Sequence, residues 1–339
     1  METLPRPGAD LRPLGLGELL DRTFTLYRNH FWLFCGIMVV PEGVSVLISV
    51  LWALSPGARA FQRATANPPS DPRVLFSAMA SGFGSAFVIS IVHLLIYIVA
   101  IGAVTYAVAD LYLQRSPSIQ VAYRQAARRT GSVIGLCFLL GMIAMVLYLA
   151  AALAGAMGGA VLVGVGGAVA GSALGRVLGP ILIVTTVIAA LIAGMALVAW
   201  VLMRFAVSMQ IVLLEGLGVF DALSRSGSLT AGNRWRIFVA VVIMVLIVGA
   251  LGAVLTMPLA VITMMDALKS HVVPTWLQVA SSIAGGLNGV ITGPLLAITM
   301  ALIYYDLRIR KEGFDIEAAL MAVAAEPPIA GAGSAPVAP

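Results

Sequence analysis

Charge is scarce in this chain. Only 10% of its 339 residues are Asp, Glu, Lys or Arg, against about 25% in an ordinary soluble domain. That scarcity excludes a protein whose surface meets water on every side. Cysteine and histidine are scarcer still, at two and three residues. Two thiols, Cys35 and Cys137, supply neither a disulfide framework nor a metal site. His30, His93 and His271 are too dispersed for the two-histidine zinc motif of a single helix. A Gly-Lys-Ser/Thr loop that would cradle phosphate is missing, and so is a Gly-x-Ser-x-Gly nucleophile elbow. No catalytic residue is assigned on these grounds, and neither a metal nor another cofactor is expected. The first thirty residues also lack the basic, apolar and small-residue pattern of a cleavable signal. There Arg6, Arg12, Arg22 and Arg28 mix with Glu2, Asp10, Glu18 and Asp21, and the apolar run starts only at Phe31. The first span is therefore expected to be retained.

What is abundant is hydrocarbon. Hydrophobic residues make up 60% of the chain, and mean hydropathy is +1.03. Charge is absent from residues 74–109, 130–175, 177–203, 237–265 and 270–305, and each run exceeds the ~20 residues that cross a bilayer as a helix. The fold class that follows is all-α integral membrane, with six transmembrane helices at about 31–54, 80–112, 131–158, 178–212, 236–264 and 275–305. Around this 31–305 domain lie a cytoplasmic N-terminal segment at 1–30, a cytoplasmic interfacial segment at 306–320, and an Ala-, Pro- and Gly-rich tail at 321–339 expected to be disordered.

Arginine sets the expected direction of threading. Segments assigned to the inside hold Arg6, Arg12, Arg22, Arg28, Arg115, Arg124, Arg128, Arg129, Arg225, Arg234, Arg236, Arg308, Arg310 and Lys311, fourteen positive charges. The outside loops hold Arg59, Arg63, Arg73, Arg176 and Lys269, five. Such a bias over short loops places both termini in the cytoplasm of a bacterial inner membrane. It also explains the net charge of +5 through anionic lipid, with no role for nucleic acid. Tyr27, Trp32, Tyr112, Tyr123, Trp235, Tyr304 and Tyr305 are expected at the inner interface, and Trp52 and Trp276 at the outer one. Two spans within 130–175 would put Arg225, Arg234 and Arg236 outside. The glycine-rich end of that run is therefore expected to be an outer-leaflet or re-entrant segment, with Gly167, Gly171, Gly175 and Gly179 on one packing stripe.

The chain also resembles itself. Leu14-Gly15-Leu16-Gly17-Glu18-Leu19-Leu20-Asp21-Arg22 aligns with Leu217-Gly218-Val219-Phe220-Asp221-Ala222-Leu223-Ser224-Arg225. Pro117-Ser118-Ile119-Gln120-Val121-Ala122-Tyr123-Arg124 is a fainter copy, and Glu312-Gly313-Phe314-Asp315 begins a fourth. The marker arginines Arg22, Arg124 and Arg225 stand at nearly constant spacing, as do Cys35 and Cys137. A unit of one short amphipathic interfacial helix followed by a transmembrane hairpin, used three times in parallel, accounts for the pattern.

Leu11-Arg12-Pro13-Leu14-Gly15-Leu16-Gly17-Glu18-Leu19-Leu20-Asp21-Arg22, then Leu26-Tyr27-Arg28, resembles the opening of the glycerophosphoryl diester phosphodiesterase membrane domain family. Ser226-Gly227-Ser228-Leu229-Thr230-Ala231-Gly232-Asn233-Arg234-Trp235-Arg236-Ile237-Phe238 and Tyr304-Tyr305-Asp306-Leu307-Arg308-Ile309-Arg310-Lys311-Glu312-Gly313-Phe314-Asp315 are similar to its later segments. The resemblance implies a multi-pass membrane protein. In enzymatic relatives the hydrolase is a separate soluble barrel with metal-binding carboxylates, and the residues after Leu320 are too few to hold one, so the enzymatic activity is not carried over.

Four polar residues fall within expected spans: Glu42, His93, Arg204 and Asn288. An ionisable group at bilayer depth costs at least ~2.5 kcal/mol, so it faces a partner or a cavity. Glu42 and His93 lie at broadly similar depth, where a pair would relay protons or hold a cation. The plainer reading of Glu42 is a neutral, hydrogen-bonded carboxyl beside the Pro41 kink. Arg204 is expected to reach inner phosphates or Asp110, and Asn288 to bond across a helix interface. Arg22, Arg28, Arg124, Arg225, Arg234 and Arg236 are expected to touch anionic headgroups or a cytoplasmic protein partner. The reading that follows is a lipid-contacting scaffold or partner-binding membrane module. A transporter or channel subunit using Glu42, His93 and Asn288 is the alternative, and assistance to a separately encoded lipid hydrolase comes third. Reporter fusions at residues 116 and 226 should report the cytoplasm, and fusions at 68 and 272 the opposite side; a periplasmic signal at 226 would overturn the threading.

Overall fold

The computed structural model describes residues 14–169, 173–270 and 273–313, and every regular element among them is helical. The elements are α1 (Leu16–Asn29), α2 (Phe31–Leu54), α3 (Pro56–Ala66), α4 (Pro72–Tyr112), α5 (Ile119–Val169), α6 (Ala173–Arg204), α7 (Ser208–Leu214), α8 (Val219–Thr230), α9 (Arg234–Ser270) and α10 (Thr275–Glu312). Six of these segments are long and apolar enough to cross a membrane: Phe31–Leu54, Pro72–Tyr112, Ile119–Val161, Val184–Leu214, Arg234–Lys269 and Thr275–Glu312. Their large side chains face outward in quantity; Met145, Met157, Val161, Ile192, Met195 and Val254 are all exposed. Apolar surface on that scale is costly in water at about 25 cal/mol per Å², and stable in hydrocarbon. This is a multi-pass membrane protein.

Several boundaries depart from the expectation. α4 begins at Pro72 because Asp71 caps it, its carboxylate accepting from the Arg73 amide at 2.9 Å, with Pro72 at the first helical position. Between α2 and α4 an unexpected helix, α3, lays Phe61 on Gly82, where any Cβ would collide with the ring, and against Phe83 edge-on at 5.9 Å. The span expected at 178–212 is broken after Arg204. The Arg204 carbonyl, which a continuing helix would bond, accepts instead from the Ser226 and Thr230 hydroxyls of α8 at 3.1 and 3.0 Å. The glycine-rich end of the third run is not re-entrant, because α5 continues through it to Val169 and α6 starts at Ala173. At 1.5 Å per residue the 51 residues of α5 extend about 76 Å, far beyond the ~30 Å hydrocarbon core.

Nor is each hairpin preceded by a separate short helix. α1 and α8 are separate, but the middle copy at 119–130 is continuous with the span of α5. Residues 306–312 likewise belong to α10 rather than to a distinct segment, and Gly313 ends the helix with φ 62°, a left-handed turn that favours glycine. The tail expected at 321–339 and the fourth copy from Phe314 onward lie outside the described residues, as do Arg6 and Arg12.

α10 is the axis of the bundle. It packs on α2, α9, α4 and α1, and its second half is buried almost continuously from Thr292 to Ile309. One core joins Phe34, Ile37 and Met38 to alanines of α4, α5 and α10. A second lies beside it at the arginine-rich end, around Leu19, Leu136, Ile211, Leu229 and Tyr304. Small residues set the closest approaches. Along α10, Gly286, Gly289 and Gly293 receive Val46, Glu42 and Met38, four residues apart on α2. The α5–α6 hairpin stands to one side and is joined the same way. A Cβ on Gly155 would come within 2.6 Å of the Ala190 Cβ, and one on Gly194 within 2.5 Å of the Ala151 Cβ. Gly155→Ala and Gly194→Ala should each weaken this hairpin by about 1–3 kcal/mol, read as a lower unfolding midpoint in detergent. Gly141→Ala, with nothing within 4 Å of its Cβ, should be neutral or stabilising.

Candidate functional site

The polar groups gather in two places. At the arginine-rich end, Asp306 of α10 is 2% exposed and accepts three partners. The Leu14 amide donates to its Oδ1 at 2.8 Å, while Arg236 at 2.5 Å and Arg310 at 3.0 Å donate to Oδ2. Both guanidinium groups also donate to the Leu14 carbonyl, Arg310 at 2.7 Å. A buried carboxylate, two arginines and both peptide groups of one residue thus tie the start of α1 to α9 and α10.

A second lattice adjoins it. Arg225 of α8 binds Glu215 through Nε and Glu312 through Nη2 at 2.9 Å. Arg308 reaches Glu312 at 3.1 Å, and the Tyr304 hydroxyl donates to Glu215 at 2.9 Å. The hydrogen bond to Glu215 holds the Arg225 guanidinium even more firmly protonated than usual. Lys311 donates to the Ser228 carbonyl at 2.6 Å, and Arg129 to that of Gly216 at 3.1 Å, where φ of 72° requires glycine.

The expected headgroup arginines therefore divide. Arg225 and Arg236 are engaged by carboxylates. Arg22 lies over the Tyr112 ring, 5.4 Å from its centroid, and Tyr112 stacks in turn on Tyr305 at 4.4 Å. The Arg234 Nε is buried with no hydrogen-bond partner. Arg28 and Arg124 are exposed. The expected tyrosine belt mostly turns inward. Tyr123 donates to the Ile37 carbonyl at 2.6 Å, the group that Pro41 leaves unbonded four residues on. Tyr27 donates to the Ile291 carbonyl at 2.6 Å, in the turn opened by Pro294. Burial raises the proton affinity of the Tyr27 hydroxyl, so it remains a donor. Trp32 and Trp235 do face outward, at 84% and 68% exposure.

Among the intramembrane residues, Glu42 and His93 lie within electrostatic reach of each other, with no hydrogen bond or ion pair joining them among the described residues. Glu42 is 8% exposed and has its carboxyl against Gly289. The Glu42 carboxyl makes no hydrogen bond among the described residues. Asn288 faces away from the pair, 3.1 Å from where a Cβ on Gly252 of α9 would stand, and also takes the Thr292 hydroxyl at 3.5 Å. No ion pair joins Arg204 to Asp110 among the described residues; its guanidinium lies over the Phe205 ring at 5.7 Å and beside Gly227. Tyr97, which the sequence reading missed, stacks on His93 at 5.4 Å. Its signal was its place one helical turn after His93. A cavity of about 500 Å³ lies between α5 and α6, lined by Met145, Tyr148 and Met195, and one of about 430 Å³ lies between α9 and α10. A third of about 640 Å³ is framed by α3 and α4. None of the three is lined by Glu42 or His93.

The fold defines a multi-pass α-helical membrane protein with ionic joints at one end. Residues 180–307 match the family described as the membrane domain of glycerophosphoryl diester phosphodiesterase. That match takes in most of α6, all of α7 to α9 and most of α10, including Arg204, Arg225, Arg236 and Asp306, and it is similarity to a membrane domain. The described elements are all helices, with no hydrolase barrel among them. No group of three or more His, Cys, Asp or Glu among the described residues is placed to hold a metal ion. No curated protein and no solved structure matches the chain.

Asp306→Ala should cost about 3–5 kcal/mol, since it leaves two arginines without their buried carboxylate, and should expose residues 14–29 to protease. Glu312→Gln, in the half-exposed lattice, should cost about 1 kcal/mol or less. Equal losses in a detergent unfolding series would contradict this ranking.

Proposed function

We propose that this chain is a lipid-contacting membrane module whose arginine-rich end lies on the cytoplasmic surface and binds anionic phospholipid headgroups. The observation that carries the reading is the division among the arginines. Arg225, Arg236, Arg308 and Arg310 are held by Glu215, Asp306 and Glu312. Arg28, Arg124 and Arg128 are exposed and have no carboxylate partner among the described residues. Exposed Trp32, Phe220 and Trp235 surround the same end, and such side chains settle at the headgroup level. The fixed arginines build the platform, and the free ones present charge to it.

The fourteen-to-five bias supports the cytoplasmic placement. A repeated hairpin plan is supported by the two separate short helices. Gly15 and Gly218 cap α1 and α8 with near-equal backbone angles, φ −68°, ψ 165° and φ −64°, ψ 163°. Each has the acidic residue three positions on, Glu18 or Asp221, folded back toward the cap.

The test is retention of phosphatidylglycerol by the full chain, purified from mixed phosphatidylglycerol and phosphatidylcholine vesicles and weighed by native mass spectrometry. Each of Arg28→Gln, Arg124→Gln and Arg128→Gln should lower phosphatidylglycerol retention about fivefold, from about 1 kcal/mol per basic residue. Arg225→Gln should lower stability and leave the lipid ratio unchanged. Equal retention in the triple variant and the parent would defeat the proposal.

A further inference from the structure

Glu42 and His93 stand apart from the headgroup surface, and nothing in that reading uses them. Glu42 sits on α2 where three residues, Met38, Glu42 and Val46, fill the groove of Gly286, Gly289 and Gly293 on α10. Its carboxyl rests on the backbone of Gly289, and any Cβ there would collide with it. His93, on α4, brings an Nδ1 that is buried and has no hydrogen-bond partner. Tyr97 stacks on that imidazole, and its hydroxyl lies 3.6 Å from where a Cβ on Gly293 would stand. α2 and α4 therefore bring a carboxyl, an imidazole and a phenol to neighbouring positions against the glycines of α10.

Packing alone does not account for this choice. An apolar side chain of the same volume would fill the slot above Gly289 without burying an unbonded carboxyl, and a leucine at 93 would leave no orphaned ring nitrogen. An isolated carboxylate at this depth costs at least ~2.5 kcal/mol. An acid and a base that hold one proton between them escape that cost. The pair is neutral whether the proton lies on the carboxyl or, with charge separated, on the imidazole.

We propose that Glu42 and His93 form a proton-binding site within the membrane bundle, holding a single proton between carboxyl and imidazole beside the Tyr97 hydroxyl. Loss of that proton leaves a net charge of −1, and a second proton gives +1. Either change puts an uncompensated charge into the α2–α10 joint, so occupancy is coupled to how α2 seats on α10. Among the described residues, no other charged group is shown facing the pair. α10 presents glycines there and turns Asn288 toward Gly252 of α9. α5 contributes Tyr123, occupied by the Ile37 carbonyl, and α1 contributes Tyr27, occupied by the Ile291 carbonyl. α3 contributes Arg59, bonded to the Leu54 carbonyl, twelve residues and about 18 Å along α2 from Glu42.

The experiment uses the full chain in phosphatidylcholine vesicles, with infrared detection of protonated carboxyl and nitrogen-15 detection of histidine. In the parent, the Glu42 carboxyl band, identified by its loss in Glu42→Gln, and the His93 ring signal should change over one common pH interval. In Glu42→Gln the His93 midpoint should move by about one pH unit or more, and in His93→Gln the Glu42 midpoint should do the same. A His93 titration identical in the parent and Glu42→Gln, or a Glu42 band unmoved by His93→Gln, overturns the proposal. Either variant alone decides it if the other fails to fold. Phosphatidylglycerol retention should be unaffected by both, which separates this site from the headgroup surface.

Discussion

Helices already immersed in lipid gain little by hiding apolar surface from one another, so close packing and polar bonds must decide which arrangement holds. In this chain that burden falls on one carboxylate. Asp306 is buried where α1, α9 and α10 meet, and it binds a backbone amide, Arg236 and Arg310. The partners are close and numerous enough to offset the desolvation of the charges, the condition under which a buried ion pair persists. Because Arg236 and Arg310 also clasp the Leu14 carbonyl, the start of α1 is fixed by both peptide groups of one residue. The platform of short helices at this end is seated on that joint.

The same economy governs the breaks in the helices. A carbonyl left without its helical partner inside a membrane must find another donor. Here the donors come from neighbouring helices: Tyr123 for Ile37 beneath Pro41, Ser226 and Thr230 for Arg204, and Tyr106 for Leu213, while Tyr27 adds a bond to Ile291, next to the carbonyl that Pro294 frees. Each kink or stop is thus also a crosslink. Most lie near the arginine-rich end, where the two apolar cores are, while the α5–α6 hairpin relies on its small-residue contacts.

The two proposed sites follow from this division. The joint and the lattice beside it occupy Glu215, Asp306 and Glu312 and leave Arg28, Arg124 and Arg128 without a carboxylate partner among the described residues, the basis of the proposed headgroup surface. Deeper in the bundle the glycines of α10 admit Glu42, which an alanine at 289 would exclude. The two are independent in position and in chemistry, one depending on long-range attraction to lipid charge and the other on exclusion of water.

The sequence by itself determined the class and the number of spans, and it carried the likeness of residues 180–307 to a membrane-domain family. Runs of twenty or more uncharged residues have only one inexpensive environment, and the first span, 31–54, coincides with α2. It also marked Glu42 and His93, because an ionisable residue in hydrocarbon is conspicuous in one dimension. Only the tertiary structure decided that these two lie within electrostatic reach and that Asn288 turns to α9. Rotation of a helix about its axis depends on its neighbours, and a uniformly apolar span carries no stripe from which to read it. The same holds for Arg225 and Arg236: a positive residue at the end of a span looks alike whether it meets a phosphate or a carboxylate. That choice rests on Glu215, Asp306 and Glu312, which come from other parts of the chain.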